Sequence, residues 1–280
     1  MILTIETHDG YTFKGRLSLP KGEGDIPKLV ILLDGAGPKT YNSDFCIFSE
    51  FLTDKGIAYF TFSKRGVNIT DDSPYYTINK DEYKTYVPSN SVKDIFSIIK
   101  VIKELKCLSQ CKVYLLGCSE GAIIASLFAS KYPDVVEALF LIGYSNINVK
   151  DLQKQQCSQI EGGDAMLGEC FDAIERKDNE LLLSKFGLTA EWFLESYNLK
   201  TGGELLPTLD LPIYIFQGMS DFMCGVQGVY DIEDEFIKLG KSNLTVNIYE
   251  KHGHGLEEIG SKSGELSKGR KYLLNTINNI

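Results

Sequence analysis

The 280-residue sequence has no apolar run approaching the roughly 20 residues of a membrane-crossing helix, and His8, Asp9 and Gly10 stand where a secretory signal would place its apolar core. A soluble chain is expected, with a cytoplasmic location favoured, although a secreted protein already relieved of its signal would read the same way. Basic charge is also short, with 29 Lys and Arg against 38 Asp and Glu, a net −9, and no basic stripe. Without an excess of phosphate-neutralising cations nucleic acid is not an expected partner, and no integral membrane partner is implied. Paired Cys-X-X-Cys spacing, zinc-type histidine pairs, a dinucleotide GxGxxG fingerprint and a Walker A loop are all missing, so no metal and no dissociable cofactor is expected. The seven cysteines are an odd set best read as ordinary thiols; only Cys157 with Cys170, or Cys107 with Cys111 if a helix ran that far, suggest a pair. Histidine is scarce, at three residues, which leaves few candidates for a catalytic base.

What the sequence does contain is a recurring pattern of short buried strands and helices. With 43% hydrophobic and 24% charged residues the chain has material for a sizeable core. Two alternating stretches around Asp9-Gly10 predict an N-terminal hairpin. Continuous apolar runs at Leu29–Leu33, Ile57–Phe62, Val113–Leu116 and Ala138–Ile142, then Ile213–Phe216 and Val246–Tyr249, have the character of strands buried on both faces. Between Ser91 and Leu105 the apolar residues recur at steps of three and four, which predicts an amphipathic helix; Ser119–Ser130, Val226–Leu239 and Lys271–Ile280 are further helices. The alternation implies an α/β fold with a predominantly parallel central sheet.

From Asn146 to Leu205 this rhythm breaks, and eleven acidic side chains meet six basic ones. Short helices are expected at Phe171–Ile174, Leu181–Phe186 and Ala190–Tyr197, with Gly162-Gly163 and Gly202-Gly203 as turns. Residues 146–205 therefore read as a small helical cap or lid inserted into a core made of residues 1–145 and 206–280. Trp192 and Phe193 are its candidate substrate contacts, the alternative being that they pack the cap against the core.

Chemistry concentrates at Gly117-Cys118-Ser119-Glu120-Gly121, between a predicted strand and a predicted helix. Small residues around a serine at a strand-to-helix junction permit the sharp turn that exposes a nucleophilic oxygen. A serine hydroxyl needs a positioned base. His254, flanked by glycines after the last strand, is the preferred base and His252 the competitor, while His8 lies in the early hairpin. Asp221, just beyond Ile213–Phe216, completes the order Ser, Asp, His and would hold the imidazole tautomer. Glu120, next to the nucleophile, is a poorer orienter. The loop Asp34-Gly35-Ala36-Gly37 can supply an oxyanion donor from the Ala36 backbone, with Gly35 as competitor, and the Glu120 N–H is the second donor. Lys64 and Arg65 either meet an acidic substrate or position their loop.

On these residues the chain resembles α/β-hydrolase-fold serine hydrolases, in particular bacterial-type esterases and related acyl hydrolases. The resemblance rests on Asp34-Gly35-Ala36-Gly37-Pro38, Lys64-Arg65-Gly66-Val67 and the Gly-X-Ser-Glu-Gly elbow, and spans about residues 10–280. Such loops commonly begin with His where Asp34 stands here. The resemblance implies hydrolysis of a small acyl ester or thioester through an acyl-enzyme, without a cofactor. The alternatives are a serine peptidase and a non-catalytic ligand-binding protein on the same fold.

Overall fold

Alternation along single strands determines how the sheet is covered. Leu29, Ile31 and Leu33 fall in one buried cluster, and the intervening Val30 and Leu32 in another, because successive strand side chains leave opposite faces. Both faces must therefore be sheltered by helices. The computed structural model describes residues 1–22, 24–69, 75–261 and 265–280.

The expected hairpin consists of β1 (Ile2–Glu6) and β2 (Thr12–Ser18). The apolar runs form β3 (Lys28–Leu33) and β4 (Ile57–Phe62), followed by a short antiparallel pair, β5 (Val67–Ile69) and β6 (Tyr76–Ile78). Then come β7 (Lys112–Cys118), β8 (Ala138–Ile142), β9 (Ile213–Gly218) and β10 (Leu244–Tyr249). Among the described residues eight strands share one sheet, ordered β1-β2-β4-β3-β7-β8-β9-β10 and parallel from β4 to β10.

The connecting helices are α1 (Phe48–Asp54), the single turn α2 (Lys80–Tyr83), α3 (Pro88–Lys103) and α4 (Glu120–Lys131). Between β8 and β9 lie α5 (Val149–Ser158), α6 (Gly163–Arg176), α7 (Asn179–Phe186), α8 (Ala190–Ser196) and α9 (Gly202–Leu205). The chain closes with α10 (Gln227–Lys238) and α11 (Lys268–Asn279). Ile95 of α3, Phe128 of α4 and Ile232 of α10 pack on one sheet face, and Phe48, Leu52, Leu273 and Ile277 of α1 and α11 on the other.

The expected boundaries shift for identifiable reasons. Helix α3 begins at Pro88, before Ser91, since proline at the first helical position loses only an N–H that has no partner there. Helix α11 begins at Lys268 because Ser267 caps it through Arg270 N–H. Helix α5 escaped the sequence pattern because only Cys157 of its ten residues is buried. Gly202-Gly203 are not a turn but the start of α9, secured by a Thr201–Glu204 capping box. A third apolar cluster joins α6, α7 and α8 to Val67, Tyr83 and Tyr86.

One buried ion network ties distant segments together. Arg65, in the loop after β4, donates from Nε and Nη2 to Asp94 of α3 at 2.7 and 2.6 Å, and from Nη1 and Nη2 to Asp9 in the β1–β2 turn at 2.8 and 3.0 Å. Arg65 thus positions its loop, and no acidic substrate is needed to explain it. Arg65→Ala leaves Asp94 buried without its cation and is expected to lose about 3–5 kcal/mol of stability in urea unfolding at neutral pH. The Arg65→Met/Asp94→Leu pair should recover most of that loss, and a single variant as stable as wild type would contradict the role.

Candidate active site

The parallel register places the C-terminal ends of β3, β7, β9 and β10 at one edge of the sheet, where ligands bind in open α/β folds. The four loops that leave these strands carry Asp34–Gly37, Ser119, Asp221 and His254. At the end of β7, Ser119 has φ 55° and ψ −119°, a backbone conformation that costs a side-chain-bearing residue roughly 1–3 kcal/mol. Bonds from Ser119 N–H to Ile142 O at 2.8 Å and from Ala122 N–H to Ser119 O at 2.9 Å hold it there. The flanking glycines are required by contact. A Cβ at Gly121 would lie 1.9 Å from Leu33 O, and one at Gly117 2.4 Å from Gly121 O.

His254 Nδ1 lies 2.8 Å from Asp221 Oδ2. With Nδ1–H donating to the carboxylate, Nε2 is left as the basic nitrogen. The same Oδ2 accepts from Gln217 Nε2 at 2.8 Å, and Oδ1 accepts from the N–H groups of Met223 and Cys224 at 2.8 and 3.1 Å. Burial pushes the Asp221 carboxyl upward, but the hydrogen bond and charge of His254, aided by Cys224 N–H and Gln217, outweigh it and leave the group below its ordinary value. The His254 ring also packs on Gly143, where a Cβ would meet Cε1 at 2.7 Å. Gly143 directly follows Ile142, the residue that accepts from Ser119.

His252 is committed elsewhere. Its Nδ1 lies 2.7 Å from Glu250 O and its Nε2 accepts from Gly269 N–H, at the start of α11, at 3.2 Å. Those contacts make His252 a structural partner of the C-terminal helix.

The side chain of Glu120 has partners that the sequence did not indicate. Only 5% exposed, it accepts from Lys64 Nζ at 2.9 Å, from Tyr86 Oη and from Trp192 Nε1. Burial, reinforced by the Glu120 charge, pushes the Tyr86 phenol well above its ordinary value and keeps it a donor. Lys64 Nζ lies 4.5 Å from the centre of the Tyr86 ring and also donates to Gly35 O. Lys64 therefore braces a loop, resolving the choice left open by the sequence. Of the two oxyanion-donor candidates in that loop, Gly35 N–H is taken by Asp34 Oδ1 at 2.9 Å. Glu120 N–H opens α4, where no preceding helical turn offers it a carbonyl.

Ala36, Ser119 and Glu120 border a pocket of about 240 Å³ whose far wall is apolar, with Leu152, Phe186, Leu188, Trp192 and Phe193 among its residues. Trp192 and Phe193 also pack inside the third apolar cluster, so each both lines the pocket and joins the helices of the segment between β8 and β9. All seven cysteines are free thiols. Cys118 is buried behind the elbow, and burial first, then the Asp34 charge, push its thiol far up. Asp221, Cys224 and His254 bring ligand-type atoms within 4.8 Å of one another. A metal would need the Cys224 thiolate, whereas burial and the Asp221 charge push that thiol well above its ordinary value, and the other two groups bind each other.

The family model for the alpha/beta hydrolase fold matches residues 28–160, from β3 into the segment after α5. Among solved structures, the chain is similar to a highly thermostable carboxyl esterase from Bacillus coagulans, at 15% identity and a TM-score of 0.67, covering 100% of this chain and 98% of that one. An esterase from Exiguobacterium antarcticum gives 17% and 0.62, with 100% and 98% covered. A puromycin-hydrolyzing peptidase from Mycobacterium tuberculosis gives 12% and 0.66, covering 98% of this chain and 37% of that one. A search of curated proteins gave no match. The architecture is that of the α/β-hydrolase fold, and Asp221 and His254 lie beyond the segment that the family model covers.

The lowered Asp221 carboxyl has a consequence for acid stability. Folding favours its ionised form, so the contribution is complete above the ordinary carboxylate range and is lost as pH falls through about 4 towards the folded value. The unfolding free energy of wild type should therefore drop more steeply below about pH 4 than that of Asp221→Asn. Parallel acid limbs in urea titrations would contradict the linkage.

Proposed function

We propose that this protein is a serine-dependent hydrolase of carboxylic esters, with Ser119 as nucleophile, His254 as general base and Asp221 as the carboxylate that orients it. The observation that carries the reading is the 2.8 Å contact of His254 Nδ1 with Asp221, at the same sheet edge as a strained Ser119 bordering an apolar pocket. In the reaction, His254 Nε2 takes the Ser119 proton as Oγ attacks the ester carbonyl. Asp221 stabilises the resulting imidazolium. The tetrahedral oxyanion accepts from the backbone N–H groups of Ala36 and Glu120. His254 then protonates the leaving alkoxide, and a water deprotonated by the same nitrogen releases the acid from Ser119.

Thioesters can follow the same steps, and peptides present a harder leaving group. The pocket wall supports a modest, apolar acyl group as the part of the substrate that is held. We assign residues 146–205 as the cap over a core of residues 1–145 and 206–280. Trp192 and Phe193 are the cap residues that touch substrate.

Labelling with a fluorophosphonate, localised by mass spectrometry and followed by a panel of esters, thioesters and peptides, tests this reading. The label is expected on Ser119. It should vanish in Ser119→Ala, and turnover should fall by about 10³–10⁶-fold in His254→Ala. His252→Ala should keep its label once corrected for folded protein. Labelling at another residue, or an undiminished rate in His254→Ala, would overturn the assignment, and saturable ligand binding without acylation would favour a binding protein.

The cap makes a separate prediction. Phe193→Ala should change the ratio of kcat/KM for long and short acyl esters by about tenfold while leaving Ser119 reactive. An unchanged ratio in a folded variant removes Phe193 from the substrate wall.

A further inference from the structure

We infer that Lys64 is a positioning residue, holding the Gly35–Ala36 peptide in the one orientation that presents Ala36 N–H to the oxyanion. The inference rests on the ester hydrolysis proposed above. Lys64 itself is absent from the pocket lining and is 6% exposed. Its ammonium donates to Gly35 O on one side and to Glu120 Oε2, at 2.9 Å, on the other.

The argument is one of peptide geometry. Gly35 C=O and Ala36 N–H belong to a single planar unit, and in a trans peptide the two point in opposite directions. A cation bound to the oxygen on the side away from the pocket therefore turns the N–H towards the pocket, which Ala36 borders together with Ser119. Without that anchor the unit is free to turn over. Turning it over changes ψ of Gly35 and φ of Ala36, and the glycine on one side offers little resistance to that change. The neighbouring Gly35 N–H cannot take over, because Asp34 Oδ1 occupies it.

Charge explains why a lysine serves here and not a neutral donor. A charge-assisted hydrogen bond is shorter and about twice as strong as a neutral one. It also draws electron density from the carbonyl, which makes the N–H of the same peptide a better donor. Glu120 completes the device. Its carboxylate neutralises and aims Lys64, while its own N–H is the second proposed oxyanion donor. One residue thus supplies one donor directly and orients the other through its side chain. Tyr86 and Trp192 in turn hold the carboxylate, so the cap helix α8 is coupled to the donor geometry.

The test compares wild type with Lys64→Met, counting active sites by fluorophosphonate stoichiometry. Loss of the anchor should lower kcat per labelled site by about 10–100-fold, less than the roughly 10²–10³-fold of losing one oxyanion donor outright, with KM changed less than about twofold. Affinity for an alkyl boronic acid, which mimics the tetrahedral state, should fall by the same factor, and affinity for the product acid should not change. A merely structural lysine would reduce the number of labelled sites and leave kcat per site intact. Should Lys64→Met fail to fold, Lys64→Met/Glu120→Gln removes both buried charges together, and the same fall in kcat is expected. In a crystal structure of phosphonylated wild type, the phosphoryl oxygen should accept from Ala36 N–H while Lys64 Nζ stays on Gly35 O. Retention of kcat per site within about threefold in a folded variant, a flipped 35–36 peptide, or Lys64 bound to the phosphoryl oxygen itself would overturn the inference. Absence of the label from Ser119 in wild type would instead overturn the hydrolase reading, and this inference with it.

Discussion

A buried carboxylate beside a proposed nucleophile is the constraint on which the site depends. Glu120 has almost no contact with water, and a charge in that position is tolerable only if it is paired and its lone pairs are satisfied. Lys64, Tyr86 and Trp192 meet that demand from three separate parts of the chain. The loop after β4, the segment before α3 and helix α8 are thereby drawn around the start of α4. An ion pair of this kind is weak evidence for stability, since desolvation offsets most of its attraction. Its visible consequence is geometric: the cap and the Asp34–Gly37 loop share one anchor.

The sheet supplies the rest of the geometry at little additional cost. The parallel strands β3, β7, β9 and β10 end at the same edge, so residues separated by more than 200 positions, from Asp34 to His254, are carried by loops on one side of the sheet. Local strain accumulates at the same edge. Ser119 has a positive φ, and so do Lys251 and Leu256, which bracket the His254 loop. Such conformations persist only where surrounding contacts over-determine them. Gly253 N–H bonded to Glu257 O at 2.9 Å and Ile259 N–H bonded to Lys251 O at 2.8 Å supply those contacts in the histidine loop.

Likeness of fold at 12–17% identity carries the scaffold and leaves the chemistry to the side chains. Esterases and a peptidase share this architecture, so substrate choice has to be argued from the pocket. Here the apolar wall formed by the segment between β8 and β9 is the part of the site with the strongest chemical character. Asp34 spends one oxygen on Gly35 N–H, which leaves Ala36 as the proposed backbone donor of that loop.

The strands, the helices packed on them and the neighbourhoods of Ser119, Asp221 and His254 were legible in the sequence, because burial on both faces leaves continuous apolar runs and a sharp turn demands glycine. Element ends were less so, since capping by Ser267 or Thr201 depends on a few local hydrogen bonds. The sequence alone left His252 against His254, Gly35 against Ala36, and brace against substrate contact for Lys64. Tertiary structure decided how each of these groups is engaged: His252 on Gly269, Gly35 on Asp34, and Lys64 between Gly35 and Glu120. The reason is physical. Periodicity reports which side of an element is buried, whereas the state of a polar group depends on partners that the chain brings from far away, and Glu120 and Trp192, 72 residues apart, meet only when the sheet and its cap have formed.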